Sequence, residues 1–443
     1  MQSSLWRAGA AAISFITFTA VLGADTPAPN PEVDAALNAF RAGRYSEAEA
    51  IDRKNLAILQ QAEPGASAQI AAYLNNLAAV YSSEGRYALA EEQYHQALEI
   101  WRKIPGEETS IALALNNLGV LLRRQARYSE AEIIDQQALK MLEEVAGPDH
   151  EKTASALNNI GELYGMQGRL TEAEAAIRRS LSILEKTRGK DDPGIAASLT
   201  GLADIYRKQG KDEAAEQLLE RSLGMIERTL GPMNPSAAPI LNNLSAVYEH
   251  QHKNKEAEQA VNRAITIFEK TAGPHHPDLA AALINLAAIY FDRHKYKQAT
   301  ELDRRALAIN QSSFGPVHPV IATSLNNLAA ISFSLHNYVE AERLFQQALD
   351  NWERSNWPNQ ALVGDTLRNL GMVYEKEHRD SDALTYYKRA IDTHEAALGA
   401  NSPRLIADLE AYSRLLRKVN DYAGAEKASV RALGIQVRNS LHP

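Results

Sequence analysis

Few residues in this chain could carry chemistry, and in each case their spacing falls short of a site. His394-Glu395 opens the His-Glu-x-x-His pattern, in which two imidazoles one helical turn apart bind zinc, but Leu398 stands where the second ligand belongs. His275-His276, within GPHHP, is a single loop pair and supplies two ligands where zinc takes at least three from protein. Asp52, Asp135 and Asp303 suggest a carboxylate cluster, yet two copies and then four copies of a repeat separate them, so they read as tolerated edge positions of a helix. No glycine-rich phosphate loop follows a strand. With no cysteine in 443 residues, disulfides, thiolate zinc sites, a cysteine nucleophile and a lipid-modified cysteine are excluded. The expectation is a non-enzyme without cofactor or metal.

A pair of amides is the most insistent polar feature. LNNLA (74–78), LNNLG (115–119), LNNIG (157–161), LNNLS (241–245) and LNNLA (325–329) set Asn-Asn inside an apolar frame. An amide both donates and accepts, so it can hold the backbone of an extended peptide or tie two helices together. Around a helix each residue advances about 100°, which turns both amides away from the apolar stripe. Asn75, Asn116, Asn158, Asn242 and Asn326, the first of each pair, read as ligand contacts. The second amides, Asn76, Asn117, Asn159, Asn243, Asn285, Asn327 and Asn369, read as ties between adjacent helices.

The same face carries Arg123, Arg124, Arg207, Lys208, Arg368, Arg414, Arg417 and Lys418 against fewer acids, Glu162, Asp204, Glu249 and Asp365. Such cations beside amide donors can receive a carboxylate bidentately; the alternative is a solvated flank. Phe291 and Phe333, 42 residues apart, offer either an apolar pocket or packing against the next repeat.

What must position these side chains is a repeat. The Ala of segments such as RYSEAEA and RYALAEE falls at 48, 90, 131, 173, 215, 257, 299, 341, 383 and 425, with eight intervals of 42 residues and one of 41. Each unit holds two helical patterns. In the second copy Leu74, Leu77, Ala78 and Tyr81 form one apolar stripe, and Ala90, Tyr94, Ala97 and Ile100 form another after the turn at Gly85. His252, His294, His336 and His378 occupy the turn position held elsewhere by Gly43, Gly85, Gly168 and Gly210, where His is among the residues that tolerate positive φ. Between units, stretches such as TAGPHHPDLA end one helix at Gly273 and start the next at Pro277.

Arg7 followed by the uncharged run 8–22 and small residues at Gly23 and Ala24 has the order of a secretory signal peptide. The domain expectation is therefore a leader over 1–23, a Pro-rich linker over 24–31, a repeat solenoid over 32–439 and a tail over 440–443. No later run is long and apolar enough to span a membrane, so the mature chain is expected to be exported, periplasmic or secreted. A net charge of −8 gives no general attraction for nucleic acid or anionic membranes.

The frame Leu-x2-Leu-Ala/Gly-x2-Tyr followed by Ala-x3-aromatic resembles the tetratricopeptide repeat over roughly residues 32–439. Eight extra residues per unit, Leu in place of the usual Trp and a closing GPxHP are similar to kinesin light chain repeats and to bacterial proteins carrying them. The coiled-coil heptads of a light chain are absent. The resemblance implies an all-α, right-handed superhelical solenoid of about ten helix-turn-helix repeats whose first helices line a concave groove. It also implies a scaffold that binds an extended peptide or partner protein there. Two rivals stand beside it: a homo-oligomeric module joined through terminal repeat faces, and a regulatory subunit of an exported enzyme complex.

Overall fold

A computed structural model describes residues 31–41, 44–62, 67–355 and 360–441. The expected leader, the linker up to residue 30 and the Gly43 turn lie outside the described residues. Pro31, placed in the linker from sequence, starts a helix, and the last helix runs on to Leu441, into the expected tail.

The described residues hold twenty α-helices and no strand. In chain order they fall two to each of the ten sequence repeats: α1 (Pro31–Arg41) and α2 (Tyr45–Ala62), α3 (Ala68–Ser83) and α4 (Tyr87–Trp101), α5 (Glu108–Arg124) and α6 (Tyr128–Val145), α7 (Glu151–Met166) and α8 (Leu170–Arg188), and α9 (Ala196–Lys208) and α10 (Asp212–Leu230). The series continues as α11 (Ala237–His250) and α12 (Asn254–Thr271), α13 (Pro277–Asp292) and α14 (Tyr296–Phe314), α15 (Pro319–Ser334) and α16 (Tyr338–Arg354), α17 (Gln360–Lys376) and α18 (Asp380–Leu398), and α19 (Arg404–Lys418) and α20 (Tyr422–Leu441). The fold is an all-α helix-turn-helix solenoid.

The ten alanines that set the repeat are all buried, 0–1% exposed. The first helices are covered nearly all round. Every residue of α5 from Ala112 to Arg123 is buried, as is every residue of α15 from Pro319 to Ile331. Each fully buried Leu, Ile or Val on such a helix is worth about 1.5–3 kcal/mol, so the first helices carry most of the hydrophobic stabilisation. The second helices bury one stripe and turn their polar face outward.

The turns inside the repeats follow the sequence reading. His252, His294, His336 and His378 have φ of 57–61°, matching Gly85, Gly168 and Gly210 at 76–78°. Between repeats, a histidine of the closing segment caps the following helix. The Nδ1 atoms of His150 and His318 accept from the backbone N–H of Lys152 and Val320, at 3.1 and 3.3 Å. Sequence reasoning missed this role.

Two compact units emerge. One takes the described residues up to Ile289 together with Ser312–Phe314; the other takes Tyr290–Gln311 and the described residues from Gly315 onward. In the first unit α3, α5, α7, α9 and α11 pack in series, and each of the helices α2, α4, α6, α8 and α10 also packs on the first helix of the next repeat. In the second unit α15 meets α17, while α16 meets α17 and α18 meets α19.

Candidate functional site

The amides form links along the stack of first helices. Asn159 Nδ2 donates to Asn116 Oδ1 at 2.8 Å, and Asn285 Nδ2 donates to Asn242 Oδ1 at 2.9 Å. The second amide of one repeat thus donates to the first amide of the repeat before it. Where the pattern lapses, neighbours substitute: Thr366 Oγ1 donates to Asn326 Oδ1 at 3.2 Å, and Asn158, opposite Gly201, donates to Glu162 at 3.0 Å. The reading of the second amide as a tie between helices holds for Asn159 and Asn285. The expectation that Asn75, Asn116, Asn158, Asn242 and Asn326 face an open groove is corrected: all five are 0–6% exposed, because the neighbouring first helices cover the flank they occupy.

The expected groove cations are also engaged within the chain. Arg207 and Lys208 lie 2.9 and 2.7 Å from Asp204, and Lys208 also donates to the Gly165 carbonyl at 3.1 Å. Burial alone would raise the Asp204 carboxyl; the charges of Lys208 and Arg207 hold it below its usual value. Arg368 bridges Asp365 at 2.9 Å and Asp408 at 3.2 Å, and Arg414 meets Glu375 at 3.0 Å. Arg124 stands 3.5 Å from Asp278, at the start of α13. Lys418 meets Asp380 at 2.6 Å, whereas Arg417 reaches only the Ser429 hydroxyl at 3.3 Å. The buried and half-buried cations neutralise acids of their own chain, and the solvated-flank reading holds for Arg414, Arg417 and Lys418, which are exposed.

Arg123 departs furthest from expectation. Its side chain is wholly buried between α5 and α6, 2.5 Å from Asp135 and 3.8 Å from Glu162. Gly119 makes the room, since a Cβ there would sit 1.8 Å from Asp135 Oδ1. The acids at this repeat position are not edge residues, and that reading is corrected: Asp52, Asp135 and Asp303 are all buried. Burial lifts Asp52 to about 7 and Asp135 to about 6, the latter pulled back by Arg123. Glu162 is lifted to about 7 by burial against the opposing pull of Arg123, and burial raises Asp303 well above the carboxylate range.

His394 is buried between repeats, with Nδ1 2.5 Å from Asp408 Oδ2 and Nε2 donating to the Ala361 carbonyl at 2.9 Å. Both ring nitrogens are thereby used in packing α18 against α17 and α19. His276 is buried too: its Nδ1 accepts from the Asp278 N–H at 3.1 Å, which leaves Nε2 as donor to the Ser83 carbonyl at the end of α3. Pro277 packs on Gly85, and Phe314 stacks on Tyr87 with centroids 5.2 Å apart. Phe291 and Phe333 are packing residues, each about 5.5 Å from the tyrosine that follows it, Tyr296 or Tyr338.

At the turn edge a three-part clamp recurs. The cation that opens the second helix lies over the tyrosine ring of its own turn: Arg86 on Tyr81, Arg169 on Tyr164, Lys211 on Tyr206, Lys253 on Tyr248, Lys295 on Tyr290 and Arg379 on Tyr374, at 3.8–5.5 Å. In four of these repeats the cation also reaches a glutamate on the preceding second helix, Glu49, Glu132, Glu216 or Glu342, at 2.7–3.1 Å. Repeat eight has no such clamp: Thr300, Ser332 and Asn337 hold the three positions. The seam between α14, α15 and α16 is left with a cleft of about 420 Å³. Leu335, which lines it, and Val339, in the first turn of α16, are 55% and 75% exposed. Sequence reasoning missed this place, although aligning the repeats on their alanines displays the three substitutions.

Paired helices, amide links and recurring clamps define a helical repeat protein of the tandem helix-turn-helix class. The chain belongs to the tetratricopeptide repeat family, whose model matches residues 30–103, 69–144, 110–186, 152–228, 236–312, 278–354, 320–396 and 362–436. No curated protein matches the sequence. Among solved structures, a Rap protein complexed with competence and sporulation factor is 16% identical, covers 83% of this chain and 98% of its own, and superposes with a TM-score of 0.60. A signal transduction ATPase with a tetratricopeptide repeat sensor, from Pyrococcus horikoshii, is 14% identical over 79% of this chain and 54% of its own, with a TM-score of 0.53. A Podosopora anserina putative kinesin light chain with nearly identical repeats is 22% identical over 46% of this chain and 97% of its own, with a TM-score of 0.36. These likenesses concern the fold.

Proposed function

We propose that the protein is a non-catalytic scaffold that holds a partner protein or an extended peptide. The observation that carries this reading is the run of tetratricopeptide repeats from residue 30 to residue 436, a fold that presents long side-chain surfaces and leaves specificity to them. Since the first-helix amides are buried and most of the first-helix cations meet acids of this chain, partner contact falls to the turn edges and second helices. There Leu335 and Val339 stand exposed among polar neighbours. The reading needs no carboxylate on the partner.

The working place proposed for the protein is outside the cytoplasm, after cleavage near Gly23 or Ala24. Mass analysis of the purified exported protein tests that; an intact Met1 would end it. The scaffold reading is tested by photo-crosslinking from position 339 of the full chain in its source cells. A discrete heterologous adduct supports it, whereas adducts to nothing but further copies of this chain would replace it with assembly.

One observation favours that second reading. On α20, Val430, Leu433 and Val437 are 48–63% exposed and share one face. Leu433 lies 42 residues after Ile391, which is buried against Leu405 and Leu409 of the following repeat. Light scattering over a concentration series decides the matter, because a concentration-independent monomer excludes self-assembly through this face.

A further inference from the structure

The cleft in repeat eight has an internal template for what fills it. Six other repeats place a tyrosine ring in the equivalent space. In five seams the tyrosine hydroxyl bonds to a polar side chain 28 residues earlier, on the preceding second helix: Arg53 with Tyr81, Gln136 with Tyr164, Arg178 with Tyr206, Glu220 with Tyr248 and Gln346 with Tyr374. Counting back the same distance from Ser332 gives Arg304, which lines the cleft. The hydroxyl's partner position is thus still polar, while the ring, the cation above it and the glutamate behind it are exchanged for Ser332, Asn337 and Thr300.

A fourth exchange goes with these three. In four other turns a glutamine at the position of Leu335 bonds to the second helix before it: Gln125 to Glu91, Gln167 to Glu132, Gln209 to Glu174 and Gln251 to Glu216, at 2.8–3.2 Å. At position 335 that polar link gives way to an exposed leucine beside apolar walls from Leu307, Leu328, Ile331 and Leu344. Random loss of one clamp residue would leave the others behind with unmatched charge. Here all four changes move one way, from a filled seam to an open cleft whose leucine and isoleucine walls stand beside Arg304 and the Glu340–Arg343 pair. Its 420 Å³ falls within the range of about 300–1,000 Å³ typical of ligand sites.

We propose that this cleft is the docking site for a tyrosine side chain presented by the partner protein. The incoming ring takes the space that the clamp tyrosine fills in the other seams, with its hydroxyl reaching Arg304 and the flanking backbone passing Leu335 and Val339. This proposal rests on the scaffold reading and adds to it the location and chemistry of the contact.

The test uses the full chain and the blocked peptide acetyl-Gly-Tyr-Gly-amide, followed by saturation-transfer NMR. The expected result is transfer to the tyrosine ring protons, with the phenylalanine peptide binding about threefold to tenfold more weakly for want of the hydroxyl bond. Ser332→Tyr, which restores the residue six other repeats carry, should abolish transfer while raising Tm. Arg304→Ala should erase the preference for tyrosine over phenylalanine. Absence of transfer to the wild type, or equal transfer to the folded Ser332→Tyr variant, overturns the proposal. If Ser332→Tyr forms the same adduct from position 339 as the wild type, the scaffold reading stands and this one falls. If no heterologous adduct forms from the wild type, the scaffold reading itself fails.

Discussion

Repeats three and seven bury an acid at the same point of the second helix and treat it in opposite ways. Asp135, in repeat three, has Arg123 at 2.5 Å, and burial raises its carboxyl only to about 6. Asp303, in repeat seven, has an amide neighbour in Asn327, and burial drives its carboxyl well above the carboxylate range. The position that holds Arg123 in repeat three is Phe291 in repeat seven. One repeat therefore sets its buried carboxyl against a cation, while in the other burial favours the uncharged form with only an amide beside it. The difference shows that a tandem array sets its interior electrostatics repeat by repeat.

The largest test of this contrast is Arg123→Met. Removing one partner of a buried pair strands the other charge, so a loss of about 3–5 kcal/mol is expected in urea unfolding. Adding Asp135→Leu should restore most of it, and a double-mutant cycle that shows no coupling would dissolve the contrast. Next comes Asp303→Leu, expected to stabilise by about 1–4 kcal/mol at pH 8. A folded-state pKa above the unfolded value means that stability is fully present below the unfolded pKa and falls as pH rises towards the folded one. The gain from Asp303→Leu should therefore be larger at pH 8 than at pH 5; a gain that shrinks with pH would show that Asp303 is ionised in the fold. Asp52→Asn is the smallest test. Wild-type stability should decline between about pH 4 and pH 7 through this group, as its pKa moves from 3.8 to about 7, and the variant's profile should be flatter over that window.

The fold was legible because its signals are local and repeated. The alanine period located every second helix, and the histidines at 252, 294, 336 and 378 declared their turn by matching the glycine positions. The polar interior was less legible for a geometric reason. A helical wheel tells which residues leave the apolar stripe, but not whether the next helix covers the flank they reach. Asn116 leaves the stripe and is still buried against Asn159. Asp135 looked like an edge residue because its partner lies 12 residues earlier on a different helix, and the space between them exists only because Gly119 lacks a side chain. His276 looked like half of a loop pair because its acceptor is 193 residues away.

That last distance bears on how the chain folds. Contacts in a solenoid are nearly all between neighbours, so such arrays nucleate anywhere, propagate along the stack and fray from their ends. The link from His276 to Ser83, with Arg124 on Asp278 beside it, closes a long loop in the first unit. Closing such a loop costs chain entropy before the contact returns any stabilisation, which raises contact order and slows folding. Once made, the link couples α3 and α5 to the start of α13, so that the first unit should melt as one cooperative block.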